Sequence, residues 1–391
     1  MTKKIICTLS MFLLSVLCFA EELPKSGQFE VTHSNFIKTQ NLFGDVLLNF
    51  PTKYFPCEPK VTVFLPGNYT TSEERYRVIY LTEDERIFKA NLKEIRFKSR
   101  LFRAVNSLYS EDKIEKVIIV DISFPYDKCN MEEGENNVPD EQIPAEKSTP
   151  IPQKSLKELF AKFLSFELVP YIDVNYRVVN DASGRIIVDR SLDMVSRLST
   201  TFDKAMVLEP PFDFYKNFHP SKMSKTDKIW VGTDEIFYAG KLKLTVTAKS
   251  VAEICRLLYS EELKFNENFM LFFGRVNRIK NGNETDDLAV KSMLMYFLAK
   301  KPQGKFRLKA QIFPEQVSKS AVNNEVMFGA DIKFKNGLEG NYLSIDAEAK
   351  PPYFSRYKGI YKVKPNVKPK KVKFIGVYDN KKFSKKVTVI K

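Results

Sequence analysis

The order of apolar and polar positions predicts strands that alternate with helices over most of the chain. Short apolar runs favour strands at Lys60–Leu65 and Arg77–Leu81, and a nearly continuous apolar run at Lys116–Ile122 is typical of a strand buried on both faces. Between the last two, apolar residues at helical spacing predict a helix over Lys89–Tyr109. This order of strand, helix and strand indicates the beginning of a parallel α/β sheet.

The same alternation continues towards the C-terminus. It predicts helices at Ser155–Val169, from Ser191, at Ala248–Leu258 and at Thr285–Ala299, and strands at Arg185–Val188, Ala205–Leu208, Lys228–Gly232 and Phe306–Phe313. We therefore expect a doubly wound, mostly parallel sheet in one large domain over residues 21–335. Within it, Asp127–Glu146 is acidic and poor in apolar residues, which predicts a solvated surface insertion.

The pattern changes after Gly337. Apolar and polar residues alternate singly, prolines punctuate the sequence, and Asp379 and Asn380 form a turn signal. Residues 336–391 are therefore predicted to form a small, lysine-rich β-module. Lysines on its solvent faces and edges would discourage pairing with other strand edges.

Charge is distributed unevenly along the chain. The net charge is +14, and residues 350–391 alone carry +13, so the body of the protein is close to neutral. A basic module of this kind favours polyanions, and anionic envelope components such as phosphates, lipid head groups or polysaccharides are possible partners of Lys350–Lys391. The alternatives are that the lysines only solubilise the module, or that they dock on the acidic insertion. Nucleic acid is not a predicted partner, because no motif for it is present.

The N-terminus predicts export. Residues 1–20 carry Lys3 and Lys4, then an apolar run, and end on the small residue Ala20, as in a signal peptide. The expected destination is the periplasm, the cell envelope or the medium, with no transmembrane span after cleavage. The alternatives are an uncleaved anchor and lipidation at Cys18.

The cysteines and histidines limit the possible chemistry. The mature chain would keep Cys57, Cys129 and Cys255, which allow one disulfide at most, in a pairing that the sequence leaves open. The only histidines are His33 and His219, and no CxxC or HxxxH pair is present. We therefore expect neither a metal nor a cofactor.

Several segments together resemble the putative-esterase family of α/β-hydrolases, which includes esterase D and the enterochelin esterases. The segment KVTVFLPGNY at Lys60–Tyr69 and the segment RYRVIYLTEDERIF at Arg75–Phe88 are similar to the family's opening strands. FELVPYIDVNYR at Phe166–Arg177 is similar to its PYID-YR helix, and RIIVDRSLDM at Arg185–Met194 falls at its nucleophile elbow. The resemblance implies an α/β-hydrolase fold and a serine ester hydrolase acting on a small ester.

The resemblance also implies roles for individual residues. Ser191 occupies the nucleophile position, and Leu192 and Glu83 fall where the family supplies oxyanion N–H groups. Asp234 matches the acid position. The family's histidine segment is similar to IFPEQVS at Ile312–Ser318, with Val317 in the histidine position, so the only candidate base left is His219, outside the family pattern.

Three glycines of the family pattern are replaced by Asp84, Asp189 and Asp193. Glycines let strand and helix cross closely at the elbow, and a carboxylate beside an oxyanion hole opposes the negative charge that the hole must stabilise. The same residues would suit a helix start, with Ser191 as the N-cap and aspartates in the first turn. The leading hypothesis is therefore an inactive esterase-fold protein that binds a ligand or partner at the cell envelope. The alternatives are an active ester hydrolase that uses Ser191 and an envelope protein that binds polyanions or polysaccharide through its basic tail.

Overall fold

A computed structural model defines the fold over most of the chain. The residues that it describes are 31–33, 42–47, 50–55, 57–82, 94–123, 153–189, 200–208, 228–233, 246–273, 287–318 and 324–390. The predicted signal peptide, the acidic insertion at Asp127–Glu146 and the helix expected from Ser191 lie outside these ranges.

A nine-stranded sheet forms the centre of the molecule. Its strands are β1 (Val31–His33), β2 (Leu42–Leu47), β3 (Lys60–Pro66), β4 (Arg77–Leu81), β5 (Val117–Ser123), β6 (Arg185–Asp189), β7 (Lys204–Leu208), β8 (Lys228–Thr233) and β9 (Phe269–Phe273). Their order is β1-β2-β3-β5-β4-β6-β7-β8-β9. The six strands from β5 to β9 in this order are parallel to one another, whereas β3 runs antiparallel to β2 and β5. The predicted mostly parallel sheet of an α/β-hydrolase is confirmed.

Helices alternate with the parallel strands along the chain. They are α1 (Glu94–Ser110), α2 (Gln153–Phe163), α3 (Val169–Asn175), α4 (Val246–Ser260) and α5 (Asp287–Leu298), and one π-helical turn at Leu164–Leu168 joins α2 to α3. The strand residues are buried on both faces, as in Val78–Leu81 and Val117–Val120. This is why these strands read as continuous apolar runs in the sequence.

A second unit, which we call the β-sandwich, follows the central sheet. Its strands are β10 (Phe306–Phe313), β11 (Gln316–Val317), β12 (Glu325–Phe334), β13 (Glu339–Leu343), β14 (Glu348–Lys350), β15 (Phe354–Tyr357), β16 (Ile360–Val363), β17 (Lys370–Tyr378) and β18 (Lys381–Val389). One sheet has the order β10-β12-β16-β15 with β13 beside β12, and the other has the order β11-β18-β17-β14. Phe328 of the first sheet packs on Phe374 and Phe383 of the second, within a core separate from that of the central sheet.

The β-sandwich corrects one prediction. The strand at Phe306–Phe313 is present, but it pairs antiparallel with β12 and does not complete the parallel sheet. Its alternating exposure, with Ile312 buried and Arg307 and Lys309 exposed, is that of a strand with one solvent face. The predicted domain boundary at residues 335 and 336 falls in the turn between β12 and β13, inside one sheet.

The β-sandwich covers the edge of the central sheet that ends in β9. A side chain at Gly340 of β13 would collide with the Met270 sulfur and approach the Leu271 carbonyl oxygen, so only glycine allows this close approach. Glu325 of β12 forms ion pairs with Lys249 of α4 and, at 3.1 Å, with Lys362 of β16. Burial alone would raise the pKa of Glu325, but the two lysines outweigh it and hold this pKa below its usual value. The free edge of β9 is thus protected from pairing with another chain.

The described cysteines answer part of the pairing question. Cys57 is disulfide-bonded, to a cysteine outside the described residues, and Cys255 is a free thiol buried in α4.

In the part of the chain that the structure describes, no helix combines the length and the apolar character that a membrane span needs.

Candidate active site

The candidate site lies at the carboxyl edge of the central sheet. Six parallel strands, β5, β4, β6, β7, β8 and β9, end at this edge, and it is here that α/β folds place their ligands. All six exits lead into segments outside the described residues. These segments include Ser191, Leu192, His219, Asp234 and Glu83, and also Asp84 and Asp193. What the structure fixes is the strand ends from which these residues follow.

Asp189 is the described residue closest in sequence to the nucleophile position. It is the last residue of β6, two positions before Ser191, and only 2% of it is exposed. The Thr82 hydroxyl lies 2.8 Å from the Val188 carbonyl oxygen and 3.3 Å from Oδ2 of Asp189, so it can donate to either. The Thr82 backbone N–H also donates to the Val188 carbonyl, at 3.3 Å. A buried carboxyl group therefore occupies the elbow where the family pattern has only a glycine hydrogen.

The two candidate partners of Ser191 follow the carboxyl ends of β7 and β8. His219 belongs to the segment that leaves β7, the direct neighbour of β6, and Asp234 follows β8, the next strand. Strand spacing puts these exits about 5 and 10 Å from that of β6. The sheet therefore brings the three segments to one edge, and the side chains themselves lie outside the described residues.

His33 lies far from this site. It is on β1, at the opposite end of the strand order, where it pairs with Asp45. Five strand spacings of about 4.8 Å separate β1 from β6, or about 24 Å. His33 therefore lies on a strand remote from the end of β6, the strand that Ser191 follows in the sequence.

Val317 does not occupy the histidine position of this site, contrary to the resemblance. It lies on β11, is fully buried in the β-sandwich core, and pairs with Val389 of β18. Of the strands that the structure describes, β9 is the last parallel one along the chain, and residues 274–286 follow it. That segment contains no histidine.

The sequence pattern did not lead to a prediction of β9. The histidine position was for this reason assigned to a segment too far along the chain. The signal of β9 was the apolar run FMLFF at Phe269–Phe273, which is bounded by polar residues and is long enough for a short buried strand. Once β9 is counted, IFPEQVS falls beyond the last parallel strand.

The PYID-YR segment has a structural role at the opposite, amino-terminal edge of the sheet. Asp173 lies 2.5 Å from the guanidinium of Arg185, the first residue of β6, and Arg185 also donates to the Asn180 carbonyl at 2.8 Å. Burial raises the pKa of Asp173 in spite of this cation. The guanidinium of Arg177 lies over the Tyr69 ring, 4.0 Å from its centroid, and its backbone N–H donates to the Tyr69 hydroxyl at 3.0 Å. The Asp173–Arg185 ion pair links α3 to the start of β6, and the Arg177–Tyr69 contacts link the residues after α3 to those after β3.

Comparison with known proteins gives a family and several similar structures. Residues 52–194 match the family model described as putative esterase. The chain is 25% identical over 154 residues to the uncharacterized protein YjcH of Bacillus subtilis (strain 168), which covers 39% of this chain and 54% of that protein. The chain thus spans about half the length of this curated relative.

Among solved structures, a ferulic acid esterase from Anaeromyces mucronatus is similar, with 13% identity, a TM-score of 0.45, and coverage of 67% of this chain and 93% of that one. An IroE-like serine hydrolase from Shewanella oneidensis has 15% identity, a TM-score of 0.42, and coverage of 63% and 77%.

In the part of the chain that the structure describes, no cluster of three or more histidine, cysteine or acidic side chains could hold a metal ion. The expectation of neither metal nor cofactor remains a prediction.

The match of residues 52–194 falls on β3 to β6 and on the elbow segment after β6, and the fold around them is that of an α/β-hydrolase. By this match, residues 52–194 are similar to the putative-esterase family of α/β-hydrolases.

Proposed function

We propose that this protein is an exported member of the family that has lost ester hydrolysis and acts by binding at the cell envelope. The observation that carries the proposal is the histidine content of the segments that follow the strands at the carboxyl edge of the sheet. Of the segments that follow its six parallel strands, only the one after β7 contains a histidine, His219. The segment after β9, where the last strand of the sheet ends, contains none.

The missing base would affect the rate directly. A serine hydroxyl is a weak nucleophile unless a positioned base takes its proton, and an enzyme without a triad member keeps only about 10³–10⁴ of acceleration over water. That residual activity depends on the oxyanion hole. Two unit charges about 5 Å apart at an effective dielectric of about 20 repel by about 3 kcal/mol, which is about a hundredfold in rate. A carboxylate at Asp189 would therefore weaken even the residual catalysis.

The same substitutions would stabilise the segment after β6. Ser191 is suited to cap the expected helix, and Asp193 would lie in its first turn, where the positive end of the helix dipole favours negative charge. Under this proposal, these residues serve the start of a helix and not the chemistry of an elbow.

The compartment is part of the proposal. The N-terminal segment has the order of a signal peptide, and the disulfide of Cys57 supports an oxidising environment outside the cytosol. The partner would be a ligand or small ester at the carboxyl edge, or an anionic envelope component bound by residues 350–391.

An active serine hydrolase is the second candidate. It is favoured by the adjacency of β6, β7 and β8, whose exits lead to Ser191, His219 and Asp234. In such an enzyme His219 would take the Ser191 proton and Asp234 would orient the imidazole, in place of the family's histidine after the last strand.

Ester hydrolysis by the mature protein tests the proposal. We expect 4-nitrophenyl acetate and butyrate to be hydrolysed at the same slow rate by the wild type and by Ser191→Ala, because surface nucleophiles alone would then act. His219→Gln serves as a matched variant in the β7 exit. A rate that falls at least tenfold in both Ser191→Ala and His219→Gln would contradict the proposal and support the second candidate.

A further inference from the structure

The inference concerns one face of the β-sandwich, which we call the lysine ladder. Strand pairing places Lys350 of β14 opposite Lys373 of β17, and Lys373 opposite Lys386 of β18. Directly paired residues point to the same face of a sheet and have Cα atoms about 4.5–5.5 Å apart. Three exposed lysines thus stand side by side over about 10 Å.

Further lysines extend the same face. Lys371 and Lys382 are also exposed and alternate in β17 and β18 with buried residues such as Val372 and Phe383. Same-face positions along a strand are about 7 Å apart. The described residues of this outward face contribute five lysines and a single acid, Glu348, which pairs with Lys350 at 3.0 Å.

The ladder is not explained by protection of strand edges. Lys373 and Lys386 lie on β17 and β18, which are the two central strands of the sheet, whereas its edges are β11 and β14. Like charges directly opposite each other destabilise a sheet. Within the described part of the chain, neither of these lysines has an acidic partner within 4 Å, although Lys385 of the same strand pairs with Glu315 at 2.7 Å.

The shape and chemistry of the face indicate the kind of partner. Lysines on a sheet surface stand apart instead of converging on one point, so they suit several charges spread along a chain better than one small anion. Of the exposed large apolar residues that the structure describes, only Val377 lies on this face. The described residues of the face include no aromatic side chain. Membrane surfaces are usually bound with inserted apolar or aromatic groups, and single-stranded nucleic acids with stacking aromatic rings.

We propose that the lysine ladder binds a linear anionic polysaccharide, with carboxylate, sulfate or phosphate groups along its chain. The bound polymer would neutralise charges that repel one another in the free protein. This site deepens the proposed binding function, and it is separate from the carboxyl edge of the central sheet.

The experiment uses heparin as the anionic polysaccharide and dextran as the neutral one, with the full mature protein. One variant combines Lys350→Gln, Lys373→Gln and Lys386→Gln. The matched control combines Lys60→Gln, Lys301→Gln and Lys305→Gln, which removes the same charge from exposed positions elsewhere. We expect heparin binding about tenfold weaker in the ladder variant and changed less than about twofold in the control. Thermal stability of the ladder variant should be equal to or higher than that of the wild type, because repulsion is relieved.

Equal losses in the two variants would show attraction to net charge alone and would overturn the proposal, as would binding to dextran. Tighter binding to phosphatidylglycerol vesicles than to heparin would overturn the choice of a polysaccharide. Hydrolysis of 4-nitrophenyl esters is measured on the same ladder variant. A failure of the ladder and a failure of the proposed loss of catalysis are therefore distinguishable.

Discussion

Replacing Arg185 by methionine is expected to lower the free energy of unfolding by about 3–5 kcal/mol. The side chains of Arg185 and Asp173 are only 10% and 18% exposed, and the substitution leaves Asp173 without its cation. It also removes the donors to the carbonyl oxygens of Asn180 and Thr201, at 2.8 and 3.3 Å. Urea unfolding followed by circular dichroism measures the loss.

A double-mutant cycle provides the control for this pair. Asp173→Leu combined with Arg185→Met removes both charges, and we expect the double variant to be more stable than Arg185→Met alone, because no buried charge is left unpaired. A loss below about 1 kcal/mol in Arg185→Met would show that this part of the PYID-YR segment does not hold α3 to the sheet.

Trp230→Ala is expected to cost about 3–5 kcal/mol of unfolding free energy. Trp230 is fully buried in β8, stacks on Phe272 at 6.2 Å between ring centroids, and covers the space above Gly232. Its indole N–H donates to the Ser292 hydroxyl at 3.2 Å, and Ser292 in turn donates to the Glu339 carbonyl at 2.5 Å. This chain of contacts joins β8, α5 and β13, so the cavity would loosen both the central sheet and the docking of the β-sandwich.

Phe166→Ala is the control for Trp230→Ala. Phe166 is an aromatic residue of the π-helical turn and is 63% exposed, so we expect a change within about 0.5 kcal/mol. Trp230 is the only tryptophan of the chain, and unfolding must therefore be followed by circular dichroism. Similar losses in the two variants would mean that the burial of Trp230 does not stabilise the fold.

The central sheet could be predicted from the sequence because its strands are buried on both faces. Such strands have continuous apolar runs, and VIIVDI in β5 and RIIVD in β6 are examples. Both predicted strands lie within one residue of the observed ends. The run FMLFF of β9 has the same apolar character, but no strand is predicted there from the sequence pattern.

The bounds of the β-sandwich along the chain could not be predicted from apolar runs. Its strands bury one face only, so each carries a weak alternating signal, and pairing such as that of β12 with both β10 and β16 joins residues far apart in sequence. The alternation after Gly337 was recognised, whereas β10 and β12 before it were not assigned to the same unit. The lysine ladder depends on strand register, which the sequence does not specify without the fold.

Of the catalytic positions, the elbow could be located from the sequence, whereas the position of the histidine could not. The resemblance located the elbow at Arg185–Met194, and the structure adds that Asp189 is buried there beside Thr82. The position of the family's histidine depends on counting strands, and that count changes once β9 is included. Residues 274–286, which follow β9, contain no histidine.

The most direct test of the central claim is the labelling of Ser191 by a fluorophosphonate, read by intact mass and peptide mapping. This probe reacts with serines activated by a neighbouring base and does not require the natural substrate to be known. We predict that the mature protein acquires no adduct at Ser191, with an active serine esterase labelled in parallel as the positive control. Stoichiometric modification of Ser191 that is lost in His219→Gln would contradict it.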